Sequence, residues 1–86
     1  MHVTVISPES AIFDGEADAI VAPAFDGSLG VFPRHAPMMT LLGEGILTVR
    51  QGESARRFHV RGGFLQVVHD TVRVVAEHVQ ENATHA

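Results

Sequence analysis

Apolar residues run along this chain in short alternating stretches that glycine and proline keep interrupting. Val3-Thr4-Val5-Ile6 opens with β-branched residues in alternation, the pattern of a half-buried strand. Ser7-Pro8 stops it, because proline cannot donate to a central ladder. Ala11-Ile12-Phe13 follows, and Asp14-Gly15 reads as a hairpin turn because glycine accepts positive φ. Asp18 to Ala22 is another apolar run, ended by Pro23. Asp26-Gly27-Ser28 predicts a turn into Leu29-Gly30-Val31-Phe32, and Pro33 ends that strand. Arg34 to Pro37 form a connection with proline on both sides. Met38 to Leu42 is apolar and stops at Gly43-Glu44-Gly45. Ile46 to Gln51 and Ala55 to Val60 flank Gly52-Glu53-Ser54 as a hairpin. Gly62-Gly63 punctuates, and Phe64 to Val68 and Val72 to Ala76 flank His69-Asp70-Thr71 as a second hairpin.

Turn signals recurring roughly every eight to twelve residues point to an all-β sandwich or barrel. The alternation places Val5, Ile20, Val31, Leu47, Val49, Phe64, Val67 and Val74 in the core. Glu77 onward is expected to add a helical turn or to fray. Residues 1–79 then form the domain, and residues 80–86 a polar, mobile tail.

Composition narrows the function classes. Eighty-six residues support one small domain, and 45% hydrophobic content makes it globular. The absence of cysteine excludes a disulfide scaffold, a thiolate metal site and a cysteine nucleophile. The basic residues are all arginine, and the net charge is −4. An acidic chain of this kind is a poor partner for nucleic acid, whose phosphates demand a basic surface. No stretch approaches about eighteen apolar residues, the length of a spanning helix. The N-terminus has neither a basic region nor a long apolar one, so it does not read as a signal peptide.

Candidate chemistry is thin. His35, His59, His69 and His78 are widely spaced, with His2 and His85 at the termini. None forms a pair with ligand spacing, so no metal site is assigned. Asp26, Ser28 and His35 could be drawn as a hydrolytic triad, but Ser28 lacks the strand-to-helix elbow that exposes a nucleophile. Asp26 to Gly30 is glycine-rich without the Gly-Lys-Ser/Thr or the following helix of a phosphate cradle. Arg56-Arg57 are expected as solvated charge on an edge strand. No catalytic, cofactor-binding or metal residue follows.

The segment from Gly27 to Thr40 has a different character. It places small, rigid and apolar residues where a soluble monomer would place charge. Its prolines pre-order a surface connection and lower the entropy lost on docking. Met38 and Met39, adjacent on one strand, must point to opposite faces, so only one can serve this domain's own core. Both features suit a protein-binding surface.

At these residues the sequence resembles the epsilon subunit family of F-type ATP synthase, called delta in mitochondria. Gly27 to Thr40 corresponds to the family's hallmark Gly-x-Leu/Phe-Gly-Ile/Val-x-Pro-Gly-His-Ala-Pro-Leu-Leu-Thr. Arg61-Gly62-Gly63-Phe64-Leu65-Gln66-Val67 and Val72 to Glu77 match a second motif, and Val5 to Glu9 with Phe13 to Glu16 the family's start. The likeness spans residues 3 to 79. Arg34 stands where the family usually has glycine, Arg61 replaces the common serine and Gln66 the common glutamate. Most members continue into a hairpin of two helices, which this sequence lacks; it reads either as a naturally short form, the expectation that its Met1 start and polar ending favour, or as a truncated member.

The resemblance implies a two-sheet β-sandwich of about ten short strands. It implies a non-catalytic rotor subunit of the central stalk, which locks the gamma subunit to the membrane c-ring so that rotation becomes torque. By carry-over, Ser7, Arg34, His35, Ala36, Pro37, Met38 and Thr40 face gamma, and Phe25, Asp26, Gly27, Ser28 and Leu29 face the c-ring. No cofactor, no ATP binding and no inhibitory helical arm are expected. The setting is the cytoplasmic face of a bacterial plasma membrane, reached only through the complex. The alternative is a free-standing β-sandwich module binding a protein or carbohydrate. The lack of Trp and Tyr to stack a sugar counts against the carbohydrate form.

Overall fold

The computed structural model describes residues 1–81. Eight strands fill them: β1 (His2–Ile6), β2 (Ala11–Glu16), β3 (Ala19–Ala24), β4 (Gly27–Val31), β5 (Met38–Leu41), β6 (Gly45–Gln51), β7 (Ser54–Val68) and β8 (Thr71–Glu81). Every named pair is antiparallel except β1 with β8. The hydrogen-bonded order is β2-β1-β8-β7-β6-β3-β4, with β5 also on β7.

β7 turns this path into a sandwich. On one edge its first half pairs with β6 over Ser54–Val60, and its second half with β5 over Phe64–Val67. β8 follows along its other edge from Phe58 to Val68. One layer therefore reads β2-β1-β8-β7-β5 and the other β4-β3-β6-β7-β8. Each has five strand segments, because β7 and β8 serve both. The expected ten strands are these ten segments, carried by eight strands among the described residues.

Alternation decides what each layer buries. Val3 and Val5, Leu47 and Val49, Phe58 and Val60, Leu65 and Val67, and Val72 and Val74 are buried in one cluster. The buried series in β7 changes parity between Val60 and Leu65. Gly62 and Gly63, with φ of 71° and 103°, lie at that change. Such backbone is open to glycine and costly for other residues. Phe64, expected in the core, therefore lies half-buried on the outer face, and Leu65 points inward. The seven other expected core residues are buried as read from the sequence.

Several local expectations also change. Asp14-Gly15 does not turn; it lies within β2 opposite Thr4 and Val3. The reversal between β1 and β2 is instead Ser7–Ser10, closed by the Ser7 N–H donating to the Ser10 carbonyl at 2.9 Å. Pro23 does not end β3. Its carbonyl accepts from the Gly43 N–H at 2.8 Å, so its missing N–H lies on the side where the ladder to β6 has already stopped at Val21. Arg56 and Arg57 pair with Val49 and Thr48 of β6 on one side, while the ladder to β8 begins at Phe58. Arg56 lies over the rings of Phe13 and Phe58, 5.0 and 5.4 Å from their centroids, and donates twice to the Glu81 carboxylate at 2.7 and 2.8 Å. That clamp holds the end of β8, so Glu77 to Glu81 is strand rather than helix or frayed chain. Of the expected mobile tail, Gln80 and Glu81 end β8, while residues 82–86 lie outside the described residues.

Candidate docking surface

Cross-strand register assembles a row that no single segment shows. Leu41 pairs with Phe64, Phe64 with Val75, Val75 with Ile6, and Ile6 with Ala11. Their chain neighbours Leu42, Leu65, Val74 and Val5 point into the core, so alternation turns the row outward. The result is a continuous apolar band across five strands. Leu41 is 62% exposed, and Phe64, Val75 and Ile6 are half-buried. The neighbouring row, Met39, Gln66, Arg73, Thr4 and Asp14, is polar apart from Met39. Beside the band lies a largely apolar concavity of about 420 Å³, lined by Ile6, Ser7, Pro8, Gly63, Phe64 and Val75, with Glu77 as its one charged group.

Two loops border this face. The β3–β4 hairpin turns at Phe25-Asp26, and the Phe25 N–H donates to the Leu41 carbonyl at 3.2 Å. The Phe25 ring, 68% exposed, thus stands beside the end of the apolar row. Between β4 and β5, Phe32-Pro33-Arg34-His35 forms a β-turn closed by the His35 N–H on the Phe32 carbonyl at 3.2 Å. Arg34 has φ 67°. Proline second and positive φ third define a type II turn, which calls for glycine at the third position.

The other layer presents Thr48, Arg57, His59 and Gln80, with Glu44 3.4 Å from His59. His2 donates or accepts at both ring nitrogens, toward Asp14 and Glu16, and this pairing, Glu16 foremost, raises its pKa above 6.5. The two carboxylates lie on opposite sides of the ring and do not converge on one point.

A family described as ATP synthase, Delta/Epsilon chain, beta-sandwich domain matches residues 1–82. The chain belongs to this delta/epsilon family of ATP synthase. It is 40% identical over 83 residues to an ATP synthase epsilon chain of Caulobacter vibrioides, covering 96% of each. It is 41% identical over 78 residues to that of Leptospira borgpetersenii, covering 91% of this chain but 61% of the relative. The Euglena gracilis mitochondrial ATP synthase contains a chain of the same fold, with a TM-score of 0.86, 24% identity and coverage of 92% of this chain and 51% of that one. The epsilon chain is a non-catalytic subunit of ATP synthase, and here its β-sandwich carries the whole described structure.

The residues expected to serve this epsilon domain as contacts fall into three places. Arg34, His35, Ala36 and Pro37 form the β4–β5 loop, which leads into Met38 and Thr40 on β5. Ser7 is separated from them by the width of β7 and β8. It is 6% exposed, and its hydroxyl is bound within its own turn, to the Ser10 carbonyl and N–H. Asp26, Gly27 and Ser28 are exposed on the β3–β4 hairpin with Phe25, while Leu29 packs against the core. Of the methionine pair, Met38 packs against the core and Met39 is 62% exposed. Reading the sequence missed Leu41, Phe64, Val75 and Ile6. Each looks like an ordinary strand residue, and only the pairing of β1 beside β8 lines them up.

Proposed function

We propose that this chain is a central-stalk rotor subunit of a proton-translocating ATP synthase, docking the gamma subunit to the c-ring at the cytoplasmic face of a bacterial plasma membrane. The apolar row Leu41-Phe64-Val75-Ile6 carries this reading. An exposed apolar band with a pocket beside it costs solubility unless a partner covers it. Gamma covers the outer face of the β5 layer, reaching Ser7 at one end and Arg34 to Thr40 along the β5 edge. The c-ring meets the hairpin from Phe25 to Leu29, next to that face. No step of bond chemistry is assigned to the domain. A close-packed sandwich resists shear, which is what a part transmitting torque must do.

Phe64→Asp and Leu41→Asp test it. Each places a carboxylate in the docked, desolvated surface, where truncation-scale losses of about 2 kcal/mol or more are expected. Binding to purified gamma should fall about thirtyfold or more while circular dichroism stays unchanged. His59→Asp, on the opposite layer, should bind normally. Wild-type affinity in both row variants overturns the assignment.

A further inference from the structure

Asp70 joins three parts of the fold that are far apart in sequence. It sits in the β7–β8 turn, where His69 and Asp70 have φ of 51° and 58° and Val68 pairs with Thr71. Two successive positive φ values make this a type I′ turn. The Asp70 carbonyl accepts from the His2 N–H at 3.1 Å, and its Oδ2 faces the Met1 ammonium at 3.8 Å. Its Oδ1 accepts from the Arg34 N–H at 2.9 Å. That last bond reaches the one residue of the type II turn whose side chain disfavours its own backbone conformation.

We propose that Asp70 is a positioning residue for docking: its carboxylate latches the Phe32–His35 turn in the left-handed form and so sets the direction in which His35, Ala36 and Pro37 meet gamma. This rests on the docking reading above. Pro33 and the His35–Phe32 bond favour a turn, but not a left-handed arginine. A glycine at position 34 would hold the shape unaided. With arginine there, an acceptor outside the loop must offset the strain, and Asp70 is that acceptor. The His35 Nδ1–H donates to the Ala36 carbonyl at 2.7 Å, so the ring direction depends on the same backbone.

Asp70→Gly isolates the latch. Glycine is favoured in a type I′ turn, so the sandwich stays folded while the acceptor disappears. Amide hydrogen exchange at Arg34, measured by NMR on the whole chain, should accelerate about tenfold, the loss expected for one hydrogen bond to a charged group. Gamma affinity should fall with it. Asp70→Asn keeps an oxygen acceptor and a residue tolerant of positive φ, and should retain both properties. Arg34→Gly in the Asp70→Gly background should restore affinity, because the turn no longer needs the latch; a generally weakened fold would not be rescued this way. Unchanged Arg34 exchange in Asp70→Gly overturns the proposal. Faster exchange with wild-type gamma affinity also overturns the docking role, and leaves the apolar row to be judged separately by Phe64→Asp. Wild-type affinity in Phe64→Asp would instead remove the docking reading itself.

Discussion

Gly63→Ala should be among the costliest single substitutions in this domain, and far costlier than Gly62→Ala one residue away. At Gly63 φ is 103°, outside the left-handed well that other residues visit. Forcing alanine there costs about 1–3 kcal/mol. The added Cβ would also strike the Val75 carbonyl oxygen and come within 2.8 Å of the Ala76 Cα. Both atoms belong to the backbone of β8, which is paired on both sides at this point, with β1 and β7. It cannot yield without breaking ladder bonds, so overpacking adds about 1–3 kcal/mol more. At Gly62, φ is 71°, near the left-handed well, and the obstacle is the exposed Glu77 side chain, which can swing away. The cost there is about 1–2 kcal/mol. A chain of this size has about 4–13 kcal/mol of total stability. Gly63→Ala should therefore remove a large share of it, lowering the melting temperature by more than about 10 °C. Urea unfolding followed by circular dichroism, with the slope held common, gives the difference directly. Equal losses for the two variants, or a loss under about 1 kcal/mol at Gly63, would refute the claim that close approach to β8 dictates glycine there.

Arg34→Gly should stabilise the domain by up to about 1 kcal/mol in urea, relieving left-handed strain of about 1–2 kcal/mol at a smaller entropic cost. Met38→Asp should unfold the chain, since Met38 packs against the core, while Met39→Asp should fold normally and weaken gamma binding. Circular dichroism and gamma binding separate the two. Arg56→Met should lose about 1–2 kcal/mol from two cation–π contacts. It should also abolish the acid sensitivity tied to Glu81: Arg56 lowers the Glu81 pKa from 4.5, so that contribution is present above pH 4.5 and disappears as pH falls through the lower folded value. His2 behaves oppositely. Its pKa is raised above 6.5 by Glu16 and then Asp14, so its contribution is complete below pH 6.5 and is lost as pH rises through the folded value. His2→Gln should flatten that part of the stability profile, read as urea midpoint against pH.

Much of the architecture was legible in the residues themselves. Gly52-Glu53 and His69-Asp70 mark the hairpins β6–β7 and β7–β8 where they occur. Pro33 and Pro37 announced the connection between β4 and β5. Local conformation is written in such residues because φ preferences act within a few positions of the chain. Asp14-Gly15 shows the limit of that rule, since pairing with β1 holds this turn-forming dipeptide extended.

What the sequence by itself determined is that the chain must alternate, turn often and bury one side of each strand. Which side of β7 that is past residue 62 could not be read, because the parity depends on two glycine φ angles that close contact with β8 selects. The outward apolar row was hidden for a related reason. Leu41, Phe64, Val75 and Ile6 belong to four strands, and β1 meets β8 in parallel across most of the chain. Alternation reports which residues share a face of one strand, but it carries no information about which strand lies alongside. That choice is made by closing a common core, which rewards only the register that buries Val5, Leu65 and Val74 together. The outward row is the other side of the same register, so it exists only once the whole sandwich has formed.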